Sequence, residues 1–513
     1  MKHKAALILF MSVVPLAGTA QDAAPLSAID WLSESVVEPP TSQNQRPRPP
    51  VDEPPVTGDA STPQITVTPL DAPSNDPVGL LASDVTGLPK SLWSSSDVDT
   101  VIALTQAQAQ PSLPAMREML VTLLLAEADP PRGARPEASL FLARVDALLA
   151  LGALPQAQSL LEAAGTDDAE TFRRYFDVAL LTGTENDACT MMDNGAGVAP
   201  TYPARIFCLA RSGDWRTAAL TLNTHRVLGD VTPAEEALLT RFLDADLFEG
   251  EAPLPPPDRT TPLQFRLREA IGEPMPTREL PLPFAHADLR NITGWKAQLD
   301  AAERLSRAGA ISGSELLGFY TAREPSASGG VWDRVADIQR FDAAVSADDA
   351  EAVARHLPAA WDAMTSIRAE VPFASVYGDM LADLSLTGDA KELAVTIGLL
   401  SSQYEAVAQA NPTADPFLAG VARGFPDPVA AQTDRESTVL AAFGPADPPE
   451  ALTALADEGK LGEALLRAIS DFNAGYAGDP EAVTGALSFF RSVGLEDTAR
   501  RAALQYLLLE RRT

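Results

Sequence analysis

Cysteine, histidine and lysine are scarce in this sequence, and each scarcity narrows the chemistry open to it. Cys189 and Cys208 are the only two thiols. Beyond the first 20 residues the histidines reduce to His225, His286 and His356. His286 has Asp288 two positions on, a spacing that sometimes serves metals, but no third ligand stands near, so a core or turn position is the expectation. Lysine occurs only at 2, 4, 90, 296, 391 and 460, and none has serine three places before it, which removes a Ser-x-x-Lys nucleophile. Gly-x-Ser-x-Gly, a phosphate-binding P-loop, a Gly-x-Gly-x-x-Gly turn, His-Glu-x-x-His and an EF-hand loop are absent too. No cofactor is therefore expected. Alternating strand patterns are nearly missing, and no apolar run after the amino terminus is long enough to span a bilayer.

The amino terminus itself, MKHKAALILFMSVVPLAGTA, has basic Lys2 and Lys4, an apolar run to about Leu16 and small Gly18 and Ala20. This is the pattern of a secretory signal peptide over 1–20, cleaved after Ala20, with an uncleaved anchor as the alternative. Cleavage removes two lysines and no acid, moving the formal charge from −31 to −33. A surface this acidic repels phosphate backbones and anionic lipids, so neither nucleic acid nor insertion into a membrane after cleavage is expected. Arginine far outnumbers lysine and alanine is abundant, which reads as a GC-rich bacterial coding bias. The periplasm is the expected destination, with full secretion as the alternative. In an oxidising compartment the Cys189 and Cys208 pair favours a disulfide, worth about 3 kcal/mol, over two buried thiols.

Residues 21–37 carry a short amphipathic pattern. Leu26, Ile29, Leu32 and Val36 recur at spacings of three and four, with Trp31 beside them. The spacing predicts a helix, too short to persist alone, that orders only on docking. Leu26, Ile29, Trp31 and Leu32 are accordingly the candidate contacts with a partner. From 38 to 79 the chain is rich in proline, which blocks both helix and central-strand pairing, so a disordered, semi-extended linker is expected, reaching roughly 100 Å at about 3.1 Å per residue. The picture is a peptide tethered by an arm, free to dock on its own chain or another.

The remainder reads as all-α. Runs such as MREMLVTLLLAEA, ASLFLARVDALLAL and DTARRAALQYLLLERR repeat apolar residues every three or four positions. Between them a short interval recurs: Gly152 to Ala157, Gly213 to Ala218, Gly459 to Ala464 and Gly494 to Ala499, with a looser version at Gly388. Glycine accepts the left-handed conformation that ends a helix, and a small alanine one turn into the next helix lets two antiparallel helices approach closely. The order Gly213, Asp214, Trp215, Ala218 resembles the junction between the two helices of a tetratricopeptide-repeat (TPR) unit. The resemblance covers about five junctions without a 34-residue period. It implies a TPR-like α-solenoid of antiparallel helix pairs, with Trp215 packed in a pair's core. Pro-rich stretches near 250–262 and 272–283 interrupt the pattern, giving an N-terminal repeat region (80–248), a wrapping segment (249–283) and a C-terminal repeat region (284–513), joined either as two solenoids or as one.

A solenoid without catalytic motifs implies a binder of proteins. The expectation is a non-enzymatic periplasmic scaffold or adaptor in a cell-envelope assembly, such as a flagellar motor or the peptidoglycan machinery. The alternative is a peptidoglycan-acting enzyme or its inactive relative, similar to the superhelical lytic transglycosylases; Glu34-Ser35 and Glu436-Ser437 supply the Glu-Ser dipeptide such enzymes use. Oligomeric state is left open by the sequence.

Overall fold

The computed structural model describes residues 29, 31–33, 35–37, 74–108, 112–135, 139–194, 199–445 and 447–509. The leader, Leu26, Glu34 and the stretch 38–73 lie outside them. Twenty-five α-helices account for most of the described chain, and the one sheet is a two-residue antiparallel pair, Val36–Val37 with Ala199–Pro200. Successive helices pack as antiparallel neighbours, for example Val331–Ser346 on Ala350–Ser366 and Leu461–Tyr476 on Pro480–Ser492. Among the described residues no helix is long and apolar enough to cross a membrane.

The glycine intervals mark helix ends as expected. Gly152, Gly213, Gly459 and Gly494 all have φ between 73° and 89°. After each, the next residue's N–H reaches back to the carbonyl five before it: Ala153 to Leu148, Asp214 to Leu209, Lys460 to Leu455, Leu495 to Phe490, at 2.8–2.9 Å. That bond satisfies a carbonyl the helix itself leaves open and turns the chain sharply. Ala157, Ala218, Ala464 and Ala499 are wholly buried, so each second helix lies close against its neighbour at that point. The same reverse bond closes helices at Asp349 to Ala344 and Ala369 to Met364, where Asp348 and Arg368 take the positive φ. Those junctions escape a search for glycine.

Cys189 and Cys208 are joined, tying the Glu185–Asn194 helix to Tyr202–Arg211 across 19 positions. The two helical regions on either side of the Pro-rich segment share one continuous core running from Ile29 to Leu509. The chain returns on itself: Pro114–Leu125 packs on Glu496–Leu508 and on Leu461–Tyr476. Polar groups seal the junction. The Ala115 N–H donates to Gln505 Oε1 at 2.8 Å, Gln108 Nε2 donates to the Leu466 carbonyl at 3.1 Å, and the Gly462 N–H donates to the Leu92 carbonyl at 3.1 Å. Gly462 lies under the buried Trp93 ring, and a Cβ there would stand 2.3 Å from a ring carbon. Gly462→Ala should therefore destabilise the fold by about 1–3 kcal/mol through overpacking. A lower urea midpoint checks this; an unchanged midpoint would mean that the two ends are not pressed together.

Candidate peptide-binding groove

The helix Ala169–Thr182 sits at the centre of its region. Asp168 caps its start by accepting from the Glu170 and Thr171 N–H groups, and Gly183 at φ 89° ends it. It touches Leu154–Ala164, Glu185–Asn194, Pro262–Ala270 and Ala285–Asp288, so almost every residue on it is buried, polar ones included. A helix covered on all sides must satisfy its charges internally. Arg174 makes a two-pronged pair with Asp146, Nε to Oδ1 at 2.6 Å and Nη2 to Oδ2 at 3.0 Å, and a third contact with Glu170 at 2.7 Å. Burial pulls its guanidinium down, but Asp146 and Glu170 outweigh that and leave it above its ordinary value. Arg173 bonds Glu170 at 3.0 Å.

Asp177, one turn on, faces a different partner: the amino-terminal arm. The Ser33 N–H donates to Asp177 Oδ2 at 2.7 Å and the Ser33 hydroxyl donates to Oδ1, so both carboxylate oxygens are used by one residue. Several other backbone groups of the arm's described residues are also held. Leu32 N–H closes a turn on the Ile29 carbonyl at 3.4 Å, and Arg259 Nη2 donates to the Leu32 carbonyl. Thr201 donates its N–H and hydroxyl to the Ser35 carbonyl at 2.8 and 3.0 Å. The chain then pairs Val36 with Pro200 and Val37 with Ala199. Ile29, Trp31 and Leu32 are buried, and the Trp31 ring meets Phe284 edge-on at 5.7 Å, with Phe265 against Phe284 at 5.5 Å. Burying such side chains stabilises the docked arm by about 1.5–3 kcal/mol each.

Three of the four candidate contact residues are thus brought together, on this chain's own groove, while Leu26 lies outside the described residues. The helix read for 21–37 is corrected at the residues the structure describes: Ile29, Trp31, Leu32, Ser33 and Ser35 belong to no helix, Trp31 lies in a turn, and Val36–Val37 is a strand. The groove's walls come partly from the Pro-rich segment, through Arg259, Leu263, Phe265 and Leu267, so this stretch builds a surface as well as interrupting a helix pattern. Beside the arm a cavity of about 270 Å³ remains, with Leu238, Leu263 and Leu267 as apolar walls and Ser33, Thr201 and Arg259 at its polar side.

Burial pushes the Asp177 carboxyl up to about 7, against the Ser33 hydrogen bonds and the Arg173 and Arg174 charges, which pull it down. An acid whose folded pKa exceeds its unfolded value binds a proton more tightly when folded. Stability from this group is greatest below the unfolded value of 3.8, falls as pH rises towards 7 and is level above it. Asp177→Asn should flatten that part of the pH profile while keeping an acceptor for Ser33. Denaturant titrations at about pH 5 and about pH 7 measure it; an unaltered slope would show that Asp177 is not held protonated in the fold.

The other candidates fall elsewhere. Trp215 is half-exposed, its ring 5.9 Å from Phe242, which corrects the expectation of a core position. Trp295, which the sequence also offers as an aromatic contact candidate, is buried and donates its indole N–H to the Phe319 carbonyl at 2.9 Å. His286 Nε2 lies 2.7 Å from the Gly152 carbonyl, and burial lowers its pKa. Asp288 bonds Thr277 instead, and among the described residues no group of three or more His, Cys, Asp and Glu stands ready for a metal. Glu436 caps its own helix, accepting from the Gln432 and Thr433 N–H groups at 2.6 and 2.7 Å. Slight burial raises its pKa but those bonds dominate and hold it below the usual range, the reverse of what a general acid requires. Glu34 lies outside the described residues. Compared with protein-family models, curated proteins and solved structures, the chain matches none.

Proposed function

We propose that this protein is an exported, non-catalytic helical-repeat scaffold of TPR-like kind, which holds segments of protein partners in the cell envelope. The observation that supports it most is the arm. Between the Ala169–Thr182 helix and the Pro-rich wall the protein already grips a non-helical peptide segment, with a tryptophan anchor, a serine on a buried carboxylate and a two-residue strand addition. These are elements by which grooves recognise extended peptides: backbone bonds give affinity and side-chain pockets give selectivity. Repeat-like helix pairs supply the rigid surface. The low pKa and capping role of Glu436 favour binding over carboxylate catalysis.

The arm on this reading is a built-in occupant that a partner segment displaces. The test uses the mature chain lacking residues 21–37 and a synthetic peptide of residues 26–37. The peptide should bind the shortened chain and bind the full mature chain much more weakly, since the tethered copy competes at high effective concentration. Equal affinity for both would remove the self-occupied groove. Cross-linked pull-down from envelope extracts, with and without the arm, then asks for protein partners. Incubation with peptidoglycan sacculi asks for released fragments, and their release would overturn the non-catalytic reading.

A further inference from the structure

Two serines on the arm sit in opposite situations. Ser33 commits both its N–H and its hydroxyl to the Asp177 carboxylate, the N–H to Oδ2 at 2.7 Å and the hydroxyl to Oδ1. Ser35 is wholly buried as well, and its carbonyl accepts from the Thr201 N–H and hydroxyl at 2.8 and 3.0 Å. Its own hydroxyl meets no donor or acceptor among the described residues. Buried polar groups are nearly always hydrogen-bonded, because stranding one forfeits its bonds to water. The arm thus docks with one fitted hydroxyl and one misfitted one.

That contrast says what kind of segment suits the groove better than its tethered occupant. Trp31 packs on Phe284 and Leu32 is buried, so a replacement needs an aromatic and then an aliphatic residue at these places. The next position calls for serine, since a site built to bond a hydroxyl discriminates against the analogue lacking it. At the place of Ser35 no group pairs with a side-chain oxygen, so a methyl alone fits better. Beyond it, Val36–Val37 adds to Ala199–Pro200, a setting that favours β-branched residues. Serine at 35 weakens the arm's hold without altering its path, which keeps the arm replaceable.

We propose that the occupant displacing the arm is a protein segment of the order tryptophan, aliphatic, serine, any residue, alanine, then two β-branched residues, matching the arm except for alanine at the place of Ser35. This rests on the self-occupied groove of the scaffold reading and names its ligand. The test uses the full mature chain and labelled synthetic peptides of residues 26–37, unchanged or carrying one substitution. The tethered arm handicaps every peptide alike, so ratios of affinity report the substituted side chain. The Ser35→Ala peptide should bind about ten-fold more tightly than the unchanged one, and the Ser33→Ala peptide about ten-fold more weakly. Placed in the chain itself, Ser35→Ala should slow hydrogen exchange of the Thr201 N–H, which the Ser35 carbonyl holds, by about the same factor, and Ser33→Ala should speed it. Exchange inside the Glu496–Leu508 helix should not change, which separates docking of the arm from stability of the whole. Equal binding by the unchanged and Ser35→Ala peptides, or a Thr201 rate that Ser35→Ala leaves unaltered, overturns the proposal and leaves the self-occupied groove standing. If no peptide binds at all, the groove reading falls and the proposal with it. A dimer in sedimentation that the unchanged peptide dissolves overturns it in favour of the arm of a second copy.

Discussion

Replacing Arg174 by alanine should destabilise the protein by about 3–5 kcal/mol, because it leaves a carboxylate buried without its counter-charge. The guanidinium has no solvent-exposed surface and Asp146 almost none, so water does not repair the loss. Lysine is a poor substitute, since one ammonium cannot reproduce the two-pronged contact with Asp146. Asp146→Leu combined with Arg174→Met should recover much of the stability, because replacing both members of a buried pair by apolar groups of similar volume avoids the stranded charge. Urea denaturation of the three variants measures this. A cost under about 1 kcal/mol for Arg174→Ala would mean that the pair behaves like a surface one, reached by water.

Trp31→Ala should release the arm while the helical body stays folded. Truncating a buried tryptophan costs about 3–5 kcal/mol, a shift of two or more powers of ten in the docked-to-free ratio. Hydrogen exchange reads it directly. The Ser33 and Thr201 N–H groups, held by Asp177 and the Ser35 carbonyl in the docked state, should exchange at least about 100-fold faster. N–H groups inside the Glu496–Leu508 helix, which packs on Pro114–Leu125 and Pro480–Ser492, should keep their rates. If every group accelerates together, the arm is part of the cooperative core and cannot act as a displaceable occupant.

How legible these features were in the amino-acid order depends on the range over which each is decided. Helix ends at Gly152, Gly213, Gly459 and Gly494 are local, set by glycine's freedom at positive φ and by a bond spanning six residues. The ends at Asp348 and Arg368 use the same bond without the glycine, so composition gave no sign of them. Trp215 shows a different limit. Its spacing from Gly213 matched a buried junction position, yet its ring meets only the edge of the next helix, at Phe242, and stays half-exposed, which spacing does not report. The arm failed for a related reason. Leu26, Ile29, Leu32 and Val36 fit a helical period, but a helix this short gains few internal bonds, and Asp177, Arg259 and Thr201 offer its backbone better partners from far along the chain.

The sequence by itself determined an all-α fold of paired helices, the acidic surface and the residues on the arm able to make contact, because periodicity, charge and glycine turns act within a few residues. Tertiary structure alone decided that the chain's two ends close on each other through Trp93 and Gly462, that the Pro-rich stretch walls a groove, and that Ser33 meets Asp177 144 positions away. Such meetings depend on how the helix pairs add up in space, and no local pattern encodes that sum.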